Sequence, residues 1–334
     1  MTFIDKIKPL YLVIMAAFIL LGCSPAPEKV HQKIHATQGS YVADIAGNGT
    51  FSVVSTNDNG ILLWPRYAND AKFQWQHDDN TSQIIALDAS HDGSVVASAT
   101  RVEFALWDAN SGENLGFWQI GNGGIQDIAV SNGGSTIALA KRDGTQIAFN
   151  PGSGRRIEFY GHNERVNVVE IAANGFYVLS GSNDASAILW DTRSGQVVHR
   201  WQHKNRVTQI ALHPTARYVF TSGSTDNAII WSLPDGKEHS RLQFIDRQRI
   251  FSAAHFNSEG SMLITGSPSR RINFWNTDNG ESLRHWNVDL VEARNPNSAV
   301  VLALHYYEDE HTLFTESSAG LAEWWQLDRQ WIPK

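Results

Sequence analysis

The sequence predicts an all-β protein, a seven-bladed β-propeller in which seven four-stranded sheets close into one ring, and three observations lead there. Seven apolar stretches end in a bulky aromatic, at Trp64, Trp107, Phe149, Trp190, Trp231, Trp275 and Trp324, in steps of 43, 42, 41, 41, 44 and 49 residues. A period near 42 is that of a propeller blade, whose apolar faces are buried only against neighbouring blades. Turn residues recur at matching phases, as Gly47-Asn48-Gly49, His91-Asp92-Gly93 and Asn174-Gly175 after first strands, and as Ser111-Gly112, Ser194-Gly195 and Asn279-Gly280 after third strands. Each supplies a residue that tolerates positive φ. With 42% apolar residues, 12 Trp and 18% charge, the chain has the material for a large core. Its 334 residues therefore read as one closed array rather than two domains.

At the N-terminus, Lys6 and Lys8 precede an apolar run over residues 10–21, which is too short to span a bilayer and has the flanks of a secretory signal. The run ends in Leu20-Leu21-Gly22-Cys23, which resembles the bacterial lipobox. That resemblance implies a lipoprotein signal peptide over 1–22, lipidation of Cys23, a short tether over 23–28 and a propeller over 29–334. Cys23 is the only cysteine, so it has no disulfide partner. Acyl chains contribute about 0.8 kcal/mol per buried methylene, and several on one residue make a lasting membrane anchor. Ser24 stands where an Asp would imply inner-membrane retention, so the expected address is the periplasmic face of the outer membrane. Without Asp5, Lys6 and Lys8 the chain keeps 25 basic and 33 acidic residues, a net charge of about −8, which argues against a nucleic-acid partner.

Residues 29–36 occupy the phase of a fourth strand, while little chain follows Trp324. The N-terminal strand is therefore expected to pair with the third strand of the last blade and remove both open edges. Within the fourth repeat, strands are expected at 165–171, 177–180 and 187–190, with a fourth ending near Trp201.

Gly161-His162 and Trp190-Asp191 make this repeat resemble the WD-repeat family. The resemblance implies a buried structural tetrad of His162, Ser180, Asp184 and Trp190, whose indole N–H needs an acceptor. Its place inside a blade wall separates it from a hydrolase triad. Other repeats depart from the pattern: blade five keeps His203, Thr221 and Trp231 but has Thr225 at the Asp position, with Asp226 one place late. Blade three has Phe149 for Trp, and blade two has Arg101 at the Asp position.

The resemblance also implies a monomeric, non-catalytic scaffold that binds a protein or peptide of a cell-envelope complex through its top face. That face is built from the loops before the first strand and after the second. In blades five and six those loops hold Lys204, Arg206, Arg247, Arg249, Arg270 and Arg271, a basic sector suited to an acidic partner. Residues 287–300, which lengthen the last repeat, are a second candidate surface. Two other readings are a binder of an anionic envelope polymer or fragment, and an enzyme using the central channel. The 13 His are scattered without metal-ligand spacing and Gly-rich phosphate loops are absent, so no metal, no cofactor and no catalytic residue is expected. Asn57-Asp58-Asn59-Gly60 and Asp78-Asp79-Asn80 fall short of a calcium-loop ligand series and read as turns.

Overall fold

A computed structural model describes residues 26–331 apart from 58–59, 78–82, 122–123, 226–227, 245–249 and 292–297. The expectations for the signal peptide, Cys23, Asp226, Arg247 and Arg249 lie outside those residues. The described chain forms seven antiparallel four-stranded sheets. Their first strands are Ser40–Ile45, Ala86–Ala89, Ile125–Val130, Val166–Ile171, Val207–Leu212, Ala253–Phe256 and Val301–Tyr307. Each touches the first strand of the next blade, and the seventh touches the first, so the ring is closed around a central channel.

Closure follows the sequence expectation. Strand Glu28–Ile34 pairs antiparallel with Leu321–Gln326, with His31 opposite Trp324 and Ile34 opposite Leu321, and so completes blade seven as its outermost strand. In blade four the strands run Val166–Ile171, Tyr177–Ser182, Ser186–Asp191 and Val197–Gln202. Gly175 turns the first strand into the second at φ +75°, in the left-handed region that the sequence reserved for glycine.

Seven apolar clusters each join two neighbouring blades. Trp75 and Leu63 of blade one pack with Trp107 and Val96 of blade two, and Trp201 of blade four packs with Val207 and Ile210 of blade five. Stability therefore lives in the seams, at roughly 25 cal/mol for each Å² of apolar surface removed from water.

The seventh seam differs. In blades four and six, Gly181 and Gly266 let the second strand meet the next blade; a Cβ at either would come within 2.6 Å and 2.4 Å of Val207 and Val301. At the same register blade seven has Glu316, opposite Ala322, and blade one offers the smaller Ser40. Glu316 reaches across the closing seam and its Oε1 takes hydrogen bonds from Ser52 Oγ at 2.6 Å and from His35 Nδ1 at 2.6 Å, all three residues being buried.

The seventh landmark aromatic also needs correction. Trp324 and Trp325 are both buried, on opposite faces of their strand. Trp324 stacks on Phe314 at 4.3 Å. Trp325 donates its indole N–H to Thr315 Oγ1 at 3.3 Å, the bond that Trp231 and Trp275 make to Thr221 and Thr265. Trp325 is thus the structural counterpart of the earlier tryptophans.

Candidate functional site: blade walls, top face and channel

In blade four, His162 sits on the loop entering the first strand, Ser180 on the second strand and Asp184 in the turn after it. His162 Nδ1 lies 3.0 Å from Asp184 Oδ2, and its Nε2 lies 2.9 Å from Ser180 Oγ. Burial lowers the imidazole pKa, with Asp184 opposing the shift. Burial would raise the Asp184 carboxyl, but Ser186 and His162 hold it below the usual carboxylate range. A neutral imidazole that donates from Nδ1 to an ionised Asp184 satisfies both directions. Trp190 departs from the expected tetrad: its indole N–H donates to Gln146 Oε1 of blade three at 2.7 Å, so it ties two blades together.

Blade two contains a network that the sequence reading passed over. His77 bonds Ser98 Oγ and Glu103 Oε1, each at 2.8 Å, and Trp107 donates to Ser98 Oγ at 2.8 Å. Glu103, two residues beyond Arg101, fills the acidic role because its longer side chain reaches back from the third strand. In blade five His203 bonds Thr221 at 2.8 Å, while its Nδ1 has no partner among the described residues.

The basic sector is divided. Lys204 and Arg206 are exposed on the loop entering blade five. Arg270 is turned inward, with Nε and Nη2 donating to the Val288 carbonyl at 3.0 and 2.8 Å, and Arg271 Nε donates to Asn273 Oδ1 at 3.1 Å. These two brace their own blade instead of offering free guanidinium groups at the rim. The segment 287–300 is anchored at both described ends, where Val288 and Ala299 are fully buried in the cluster between blades six and seven.

The channel carries the strongest electrostatic feature. Asp44, Asp88, Asp127 and Glu170 project from the first strands of blades one to four, half-buried toward the channel. Each accepts a backbone N–H from the next blade: Ala89 to Asp44 at 2.8 Å, Val130 to Asp88 at 2.6 Å, Val169 to Asp127 at 2.9 Å and Leu212 to Glu170 at 2.8 Å. Four carboxyls thus stitch blades one through five. Burial raises Asp44 and Asp127 to about 7 and Glu170 to about 8, with the backbone donors opposing. Burial and then the neighbouring Asp44 raise Asp88 well above the carboxylate range. Strand pairing sets His255 and His305 of blades six and seven level with Glu170. Their rings lie 5.3 Å apart, and burial lowers them to about 4 and about 2.

Perturbed carboxyls in a channel are what a central-channel enzyme would also display. Here every one of them holds a neighbouring blade's amide, and they stand one blade apart, so seam bonding accounts for their placement. Among the described residues no group of three or more His, Cys, Asp or Glu is arranged to hold a metal ion.

A family model described as WD domain, G-beta repeat matches residues 154–191 and 195–232, the repeats that contain His162 and His203. No curated protein matches the chain. The chain is a seven-bladed β-propeller, two of whose repeats match that family model, a fold consistent with a protein-interaction scaffold.

Proposed function

We propose that the protein is a non-catalytic docking platform of the bacterial envelope, lipidated at Cys23, anchored on the periplasmic side of the outer membrane and engaging a protein partner through its top face. The observation that carries this reading is the position of the closing strand. Glu28–Ile34 runs antiparallel to the third strand of blade seven and so starts at the bottom rim, opposite the loops that enter the first strands. Cys23 precedes Glu28 by five residues, a reach of at most about 18 Å. A lipid there leaves the top face turned away from the membrane. Cys23→Ser should lose acylation and leave the membrane fraction; retention equal to the parent after salt and carbonate washing contradicts the anchor. A photoreactive residue at Asn163, exposed on the top face, should crosslink to a protein in intact envelopes.

A further inference from the structure

We infer that the docking face is centred on an arginine crescent at the top mouth of the channel, Arg101, Arg142, Arg165 and Arg206, and that it selects an acidic segment of a partner protein; this rests on the docking reading above. The four belong to blades two, three, four and five, and all are exposed. Backbone contacts make them consecutive along the rim. The Arg101 carbonyl accepts the N–H of Ile125 at 2.8 Å, and the Arg142 N–H donates to the adjacent Gly124 at 3.0 Å. Gly144, two residues after Arg142, abuts the next blade so tightly that a Cβ would lie 3.1 Å from the carbonyl oxygen of Glu164, beside Arg165. Arg165 Nε donates to Asn167 Oδ1 at 2.9 Å, and Asn167 Nδ2 spans to the Val207 carbonyl at 2.8 Å, beside Arg206.

Charge and composition then identify the occupant. Among the described residues none of the four guanidinium groups pairs with a carboxylate. Of the nearby acids among the described residues, Glu103 is held by His77 at 2.8 Å, Asp143 by Lys141 at 3.0 Å and Asp184 by His162, leaving Glu164 as the counterweight. A positive arc on a chain of net charge −7 favours an anionic partner. Guanidinium groups take carboxylates in bidentate pairs. Val102, 58% exposed, follows Arg101 on its loop, and Tyr160, 73% exposed, follows the outer strand of blade three on the same face of the ring. Arginine interleaved with exposed aromatic and aliphatic side chains is the make-up of a protein interface, whereas a sugar-phosphate polymer gains little from the apolar members.

The test uses the full chain and a dye-labelled oligoglutamate peptide ending in phenylalanine, read by fluorescence anisotropy across a salt series. Arg142→Glu with Arg165→Glu should weaken binding by about tenfold or more and flatten its salt dependence. Arg155→Glu with Arg156→Glu, on the bottom rim, should leave it unchanged. Equal losses in both double variants, or no binding by the parent, overturn the inference. Binding of dextran sulfate in preference to the peptide also overturns it, in favour of an anionic polymer. Crosslinking from Asn163 separates the two levels. Protein capture that survives the Arg142/Arg165 reversal keeps the docking face and removes the arginines from it. Absence of protein capture from Asn163 in the parent removes the docking face itself.

Discussion

The two halves of the channel wall are built differently from the same strand. In blades one to four, a carboxyl on the inner strand grips an amide of the next blade. At the equivalent level blades six and seven carry His255 and His305, whose rings make no such bond to a neighbour among the described residues. That second half closes the ring by other means, chiefly the Glu316, His35 and Ser52 contacts across the last seam. The lesson is that a ring of like blades need not have like seams. An acid half is held by bonds to backbone, while the histidine half depends on side-chain packing and on the buried carboxyls of Glu316 and Glu323 in blade seven.

The largest expected effect breaks the acid half. Asp88→Ala combined with Glu170→Ala leaves two amides without acceptors, at about 1–3 kcal/mol each, and urea midpoints should fall accordingly. His255→Asn should lower the midpoint by less, because no inter-blade bond is lost. Equal losses would mean that the stitches contribute nothing beyond packing.

Next comes the response to pH, which has opposite signs in the two halves. Carboxyls raised to about 7 or 8 in the fold bind more protons there than in the unfolded chain, where they titrate near 4. Their stabilisation is complete below about pH 4 and is lost as pH rises toward 8. Glu323, raised to about 7 by burial and then by Asp289, adds to the same trend. Imidazoles held neutral behave in reverse: their contribution is complete above about 6.5 and is lost as pH falls toward 4 for His255 and toward 2 for His305. Between pH 4 and 6.5 the two trends oppose each other, and above 6.5 the carboxyl trend acts alone. Melting temperature should therefore decline from pH 6.5 to 8. Asp44→Asn with Asp127→Asn, which keep an acceptor oxygen, should flatten that decline, whereas His305→Asn should flatten only the low-pH side. A parent protein more stable at pH 8 than at 6.5 would reverse the assignment.

A smaller effect distinguishes blade four from blade five, where the belt of stitches ends. His162→Ala removes bonds to both Asp184 and Ser180, although Asn163 and Ser186 still donate to Asp184, and should cost on the order of 1–3 kcal/mol. His203→Ala strands little beyond Thr221, and the loss should be smaller by urea titration. The smallest effect is on the rim. Arg142→Glu with Arg165→Glu should change stability by no more than about 0.5 kcal/mol, since exposed charges contribute little.

Blade number, turn positions and ring closure were legible in the sequence because they repeat. An aromatic about every 42 residues, and a Gly at most of the left-handed turns, recur as local features from blade to blade. The strand at Glu28–Ile34 could be assigned by its phase alone. Individual side-chain contacts were not legible in this way. Glu103 serving for an aspartate, Trp190 turning to Gln146, Trp325 rather than Trp324 meeting the threonine, and Arg270 folding onto Val288 each depend on side-chain reach across a register or a seam.

The sequence by itself determined the architecture, since a repeat that cannot bury its own apolar faces has a closed ring as its stable outcome. Only the tertiary structure decided what each seam is made of. Asp44, Asp88, Asp127 and Glu170 look like unrelated acids about 40 residues apart, and the four rim arginines lie up to 105 residues apart. Closing the ring fixes the rotation of each blade against the next. That rotation brings an amide to each acid and sets the arginines side by side, contacts that the spacing of these residues along the chain does not specify.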